Sequence, residues 1–89
     1  MRAVITVVGK DTVGILAAVS GKCAEYGINV LEVTQSILMD MFAMIMMVDL
    51  DNSTVNFTRF ADELSELGKS RALSINAMHE DLFNAMHIV

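Results

Sequence analysis

Residues 2–26, RAVITVVGKDTVGILAAVSGKCAEY, change from the pattern of a strand to the spacing of a helix within one short loop. Residues 2–8 are rich in β-branched side chains and alternate between two faces, which predicts a strand. From Gly14 to Tyr26 the apolar side chains repeat every three or four positions, which predicts a helix that stops at Gly27. On the strand, Ala3, Ile5 and Val7 are predicted to share one face and Val4, Thr6 and Val8 the other; the predicted buried face of the helix holds Leu16, Val19, Cys23 and Tyr26.

The rest of the chain predicts two more strands, a second helix, a last strand and a short terminal helix within residues 80–89. Because crossovers within one sheet are right-handed, the order β-α-β-β-α-β places the first two helices on one face. We therefore expect an α+β fold, a ferredoxin-like βαββαβ sandwich with an antiparallel four-stranded sheet, as a single domain over residues 1–89. The predicted bounds are strands at 29–38 and 41–50 joined by a turn at Met39 and Asp40, a helix at 54–67 closed by Gly68, and a strand at 72–78. On the second strand, Val30, Glu32, Thr34 and Ser36 are predicted to share one face, and Leu31, Val33 and Ile37 the other.

The third predicted strand, residues 41–50, is apolar on both faces, and 54% of the whole chain is apolar. A sheet face without helices would then expose apolar side chains, which favours association. We expect a second subunit to cover this face or the edge of the second strand, since closed dimers are the commonest assemblies. The alternative is that the C-terminal tail folds over the face. The expected assembly is a homodimer or a higher homo-oligomer.

Charge and composition argue against several classes of partner. The net charge is −5 and the six lysines and arginines form no cluster, so nucleic acid is not an expected partner. No apolar stretch approaches the ~20 residues that span a bilayer, so no membrane contact is expected. Cys23 is the single cysteine, which is typical of a reducing cytoplasm. His79 and His87 have no recognised metal spacing, and neither a metal nor another cofactor is expected.

The loop from Gly9 to Gly14 joins a predicted strand to the start of a predicted helix. Unpaired backbone N–H groups and the positive end of the helix dipole meet there, and both attract a carboxylate. Gly14 has no Cβ, so a ligand or another chain can approach its backbone closely. Asp11 either caps the helix or holds the ammonium group of a ligand, and the residue chemistry favours the cap.

Two segments, GKDTVGILA at residues 9–17 and YGINVLEVTQ at residues 26–35, resemble the first loop and the second strand of ACT domains. The likeness is greatest to small stand-alone ACT proteins of bacteria and archaea, which are similar in turn to the halves of the glycine-cleavage-system repressor. This resemblance implies pairing through second strands and first helices, with an amino acid bound at the seam. The loop would then meet Asn29 of the paired subunit. The ligand-binding residues that the resemblance implies are Asp11, Thr12, Val13, Gly14, Ile15, Asn29, Val30 and Gln35.

The function expected from this resemblance is a non-catalytic regulatory module that binds an amino acid or a similar small ligand through a dimer interface. A regulated protein partner would fit that role. The alternative is a pure dimerisation or protein-interaction module with no small ligand. Other functions of the same fold lack their residues here: residues 9–18 contain no arginine for an acylphosphatase and no cysteine pair for a copper chaperone. An RNA-binding module would need aromatic side chains on its central strands and a basic surface, whereas the net charge of this chain is −5.

Overall fold

The computed structural model describes residues 1–10 and 13–86, with Leu38 described by its backbone alone. One antiparallel sheet in the order β2-β3-β1-β4 carries the fold, so the predicted α+β sandwich is confirmed. The elements are β1 (Arg2–Gly9), α1 (Ile15–Glu25), β2 (Asn29–Leu38), β3 (Met41–Asp49), α2 (Phe57–Ser70), β4 (Ser74–His79) and α3 (Glu80–Met86).

The core lies between one face of the sheet and the helices α1 and α2. Apolar side chains of β1 and β3 stand opposite one another in register and pack against Phe60 and Leu64 of α2. The predicted division of β1 into two faces is confirmed, and the structure shows that Ala3, Ile5 and Val7 form the inward face. The prediction for α1 is wrong at Leu16, which is exposed, because Ile15 is the first-turn residue that turns into the core. The core residues of β1 are Ala3, Ile5 and Val7; those of α1 are Ile15, Val19 and Cys23.

A β-bulge at Leu31 changes which side chains of β2 share a face. Val30 is opposite Val48, but Met47, the next residue of the ladder on β3, is opposite Glu32 and not Leu31. One residue of β2 is therefore inserted into the ladder. Such an insertion shifts the alternation by one position. The prediction that placed Val30 on the face of Glu32 is therefore wrong, because Val30 packs against the core.

The ends of the two long helices differ in their chemistry. Gly27, at a φ of 70°, follows the last turn of α1, which confirms the predicted stop. Gly68 does not close α2: the helix continues to Ser70, and Ala72 takes the left-handed conformation with a φ of 56°. The N–H of Leu73 then donates to the carbonyl of Gly68, as in a Schellman motif. The left-handed position of this motif usually holds glycine, and here Ala72 takes it with some backbone strain. The predicted start of α2 also moves, since Asn56 is the N-cap and accepts from the N–H of Arg59.

The terminal helix α3 lies against the sheet face opposite α1 and α2. Val4 points to this face and is 0% exposed, and Phe83 of α3 lines a cavity of about 250 Å³ together with Val4 and Met47. An ion pair of 3.1 Å between Arg2 and Glu80 holds the start of the helix. The tail therefore covers part of the face for which a second subunit was favoured. Val8 and Ile45 stay exposed on the same face.

Candidate functional site

Within the described residues, no side chain caps the N-terminus of α1. Its N-cap residue is Gly14, which has a φ of 71° and accepts the first helical hydrogen bond from the N–H of Ala18 at 2.9 Å. Because glycine has no side chain, the next N–H groups of the first turn receive no hydrogen bond from the N-cap residue. Asp11 and Thr12 lie outside the described residues. The helix therefore presents backbone donors and the positive end of its dipole at this loop.

A cation that the sequence reasoning missed stands beside this loop. Nη1 of Arg71 donates to the carbonyl oxygen of Val13 at 3.2 Å, and a Cβ on Gly14 would lie 3.8 Å from the same nitrogen. Arg71 is the C-cap residue of α2, far from the loop in sequence. The β-α-β-β-α-β order could have indicated that the end of α2 lies near this loop, because the second helix returns to the end of the sheet where the first helix begins.

The predicted loop residues differ in what they present to solvent. Val13 is 80% exposed, whereas the side chain of Ile15 is only 1% exposed and belongs to the core. Ile15 can therefore contribute only its backbone to a site here. Gly14 is exposed between them, with the guanidinium of Arg71 as its nearest neighbour.

Asn29 and Val30 lie at the other end of the sheet from the loop. Asn29 pairs with Asp49 and Asp49 with Arg2, whereas the loop follows Gly9. At about 3.3 Å per residue, the two ends are about 23 Å apart. One chain therefore does not bring Asn29 together with Gly14. Gln35, opposite Met44, lies nearer to the loop on the helix-bearing face and is exposed.

The strand β2 forms one edge of the sheet, and none of the described residues pairs with its outer side. All residues from 31 to 37 are exposed, including Leu31, Val33 and Ile37, the last at 72%. A long edge strand with apolar side chains is a surface on which another strand can add.

A polar cluster joins α1 to α2 away from the loop. The hydroxyl of Tyr26 donates to both carboxylate oxygens of Glu63, at 2.5 and 2.6 Å, and Nζ of Lys22 lies 3.4 Å from the same carboxylate. The hydrogen bond from Tyr26 is the main cause that lowers the pKa of Glu63, and Lys22 and Arg59 lower it further. The arrangement ties the two helices together.

We expect Tyr26→Phe to make the protein less sensitive to acid. A carboxyl whose folded pKa is lowered stabilises the fold above its ordinary pKa of about 4.3, and this contribution is lost as the pH falls through the folded value. Thermal unfolding of both proteins at several pH values between neutral and strongly acidic checks this. Glu63→Gln, which removes the titrating carboxyl, should likewise reduce the loss of stability as the pH falls. A Tyr26→Phe protein that loses as much stability on acidification as the original would contradict it.

Neither metal chemistry nor a membrane span is evident in the described part of the chain. Within residues 1–10 and 13–86 no three His, Cys, Asp or Glu side chains stand together as metal ligands. His79 faces Asp81 at 3.6 Å, and no helix over these ranges is long and apolar enough to cross a bilayer.

Comparison with known proteins places this geometry in a family. The model of the ACT domain matches residues 2–77. A UPF0237 protein from Clostridium acetobutylicum is 47% identical over 89 residues, covering 100% of both chains. The solved ACT domain protein from Streptococcus pneumoniae superposes with a TM-score of 0.81 at 40% identity over 93% of each chain. A putative glycine cleavage system transcriptional repressor gives 0.74 at 26% identity, over 89% of this chain and 47% of the repressor chain. The chain therefore belongs to the ACT domain family.

Proposed function

We propose that this protein is a non-catalytic regulatory module that binds an amino acid at the seam between two copies of the chain. ACT domains are regulatory ligand-binding modules, and this chain matches their family model over nearly its whole length. The observation that carries the proposal is the N-terminus of α1, where the N-cap residue Gly14 has no side chain and the guanidinium of Arg71 lies beside it. Such an arrangement suits the carboxylate of an amino acid.

Pairing of two β2 edges about a two-fold axis completes this site. In an antiparallel pair, the start of β2 in one copy lies opposite the end of β2 in the other. Ile37, near the end of β2, is level with Phe42 and Gly9, so it marks the loop end of the sheet. Asn29 of one copy would therefore stand level with the loop of the other. Its amide offers both donors and an acceptor to the bound amino acid.

The remaining predicted residues take supporting roles in this proposal. Val30 and Gln35 would line the seam from β2, and Val13 and Ile15 would offer backbone groups beside Gly14. Asp11 and Thr12 stay predictions for the ammonium end of the ligand. The single domain over residues 1–89, the regulated partner and the cytoplasmic location also stay predictions.

A thermal-shift screen against the twenty amino acids tests the proposal. A ligand at 100 times its dissociation constant adds about 2.7 kcal/mol of stability, which raises the melting temperature by several degrees in a domain of this size. We expect a shift for one amino acid or a small related group, and its loss in Asn29→Ala. Asn84→Ala is the matched control, since Asn84 is an exposed asparagine of α3 away from the proposed seam.

Absence of any shift across the panel, with the protein still dimeric, would overturn amino-acid binding. The exposed apolar edge of β2 favours one other function in that case, a dimerisation or protein-interaction module without a small ligand. A shift that survives Asn29→Ala would contradict the seam as the binding site.

A further inference from the structure

A groove of about 480 Å³ opens at the end of the sheet where β1 ends and where β3 and β4 begin. This volume lies within the ~300–1,000 Å³ range of small-molecule sites. The residues that line it fall into two chemical groups. The exposed wall is almost entirely apolar. Val8, Gly9, Met41 and Ala72 form one group, and Lys10, Arg71 and Ser74, whose side chains end in polar groups, form the other.

The charge in the groove is unusual for this acidic chain, which has a net charge of −5 and only six lysines and arginines. Two of these six line the groove, and no carboxylate lines it among the described residues. Within the same described ranges, Arg71 is the cation without an ion-pair partner. The cations that pair with carboxylates there are Arg2, Lys10, Lys22, Arg59 and Lys69.

The two cations of the groove remain available to a ligand. Nζ of Lys10 lies 3.6 Å from Asp40, and both side chains are about three-quarters exposed, so water screens their attraction. Arg71 carries five N–H donors, and the described residues offer it one acceptor, the Val13 carbonyl at 3.2 Å. A guanidinium with free donors matches both oxygens of a carboxylate.

We propose that this groove binds a small carboxylate with an apolar body, with Arg71 as the anchor of the carboxylate and Lys10 as a second, weaker contact. The apolar body lies against Val8 and Met41. Inorganic phosphate satisfies the cations equally but leaves these two side chains uncovered, so an anion with an apolar body is favoured.

This site goes beyond the proposed function, because no residue of β2, which forms the proposed seam, is among its described lining residues. Asn29, which the seam requires, lies at the opposite end of the sheet. The two sites share Arg71, since this residue lines the groove and its guanidinium also holds the Val13 carbonyl before α1, so a carboxylate anchored in the groove would compete with one at the seam. A ligand in the groove would therefore act on the loop that starts this helix.

Titration with 3-phenylpropanoate, followed through the backbone amides by ¹H–¹⁵N NMR, tests the groove. From the size of this probe we expect a dissociation constant of about 1 mM. The saturating shifts should centre on residues 8–10 and 71–74. The neutral isostere 3-phenylpropanamide should bind about tenfold more weakly, because it cannot form the charge-assisted pair. No saturating shift up to about 20 mM, or equal binding of acid and amide, would overturn the proposal.

Variants assign the binding to named side chains. Arg71→Gln should weaken binding about tenfold and Arg71→Lys about threefold, since lysine keeps the charge but loses the planar fork. Lys69→Gln is the matched control, because Lys69 is an exposed cation two residues away that does not line the groove. Unchanged binding in Arg71→Gln would overturn the proposal, as would saturable binding of inorganic phosphate without binding of the carboxylate.

Asn29→Ala separates this site from the seam. Binding of 3-phenylpropanoate that persists in Asn29→Ala supports the groove, and it does so even if no amino acid stabilises the protein. Loss of binding in Asn29→Ala would assign the ligand to the seam and overturn the groove.

Discussion

Gly68→Ala is expected to lower the free energy of unfolding by about 2 kcal/mol, although alanine is the better helix former. A Cβ at this position would lie 2.8 Å from the carbonyl oxygen of Leu73 and 3.0 Å from Cγ1 of Ile75. The carbonyl belongs to the backbone that leads from α2 into β4, so it cannot rotate away as a side chain can. The cost of forcing the helix away from the strand exceeds the roughly 1 kcal/mol gained in helix propensity. Urea unfolding of the two proteins measures the difference.

Gly21→Ala provides the matched control for this substitution. Gly21 lies inside α1, and a Cβ there would have no neighbour within 4 Å. The substitution should therefore raise the free energy of unfolding by about 1 kcal/mol, the ordinary gain in an exposed helix. Equal effects at both positions would contradict the close approach of α2 to β4.

Val33→Asp is expected to raise the dimer dissociation constant by at least about a hundredfold if the copies pair through β2, as proposed. Val33 lies near the middle of this edge strand and is exposed in the single chain. In a two-fold interface each substitution occurs twice, so two carboxylates would face one another where two valines had packed. Sedimentation velocity over a range of concentrations gives the dissociation constant.

Ile45→Asp tests the opposite face of the sheet. Ile45 is exposed to a similar degree as Val33, but it lies on the face that α3 partly covers. We expect this substitution to leave the dimer intact. If Ile45→Asp separates the copies and Val33→Asp does not, the open face is the interface and the seam proposed through β2 is wrong.

Sequence patterns were reliable where a local property decides the structure. The alternation in residues 2–8 predicted which side chains of β1 share a face, and Gly27 predicted the end of α1, because each depends on the residues themselves. The bulge at Leu31 was not predictable in this way. It depends on how β2 pairs with β3, and no turn residue marks it in the sequence.

The candidate site shows the same division. The loop from Gly9 to Gly14 could be identified from its position between a strand and a helix. The order of the elements places the end of α2 at the loop end of the sheet, but only the packing of α2 brings the guanidinium of Arg71 to the Val13 carbonyl. Asn29 was identified through resemblance. Its position about 23 Å from the loop of the same chain follows from the register of the sheet.

The sequence by itself determined the order of the elements, the two faces of β1 and the family to which the chain is similar, since periodicity and turn residues are local properties. The tertiary structure decided why Gly68 stays inside a helix, which part of the open face α3 covers, and which cation stands at the loop. These features depend on distances between segments far apart in the chain. Such distances are set by close packing of the whole core, which no local pattern encodes.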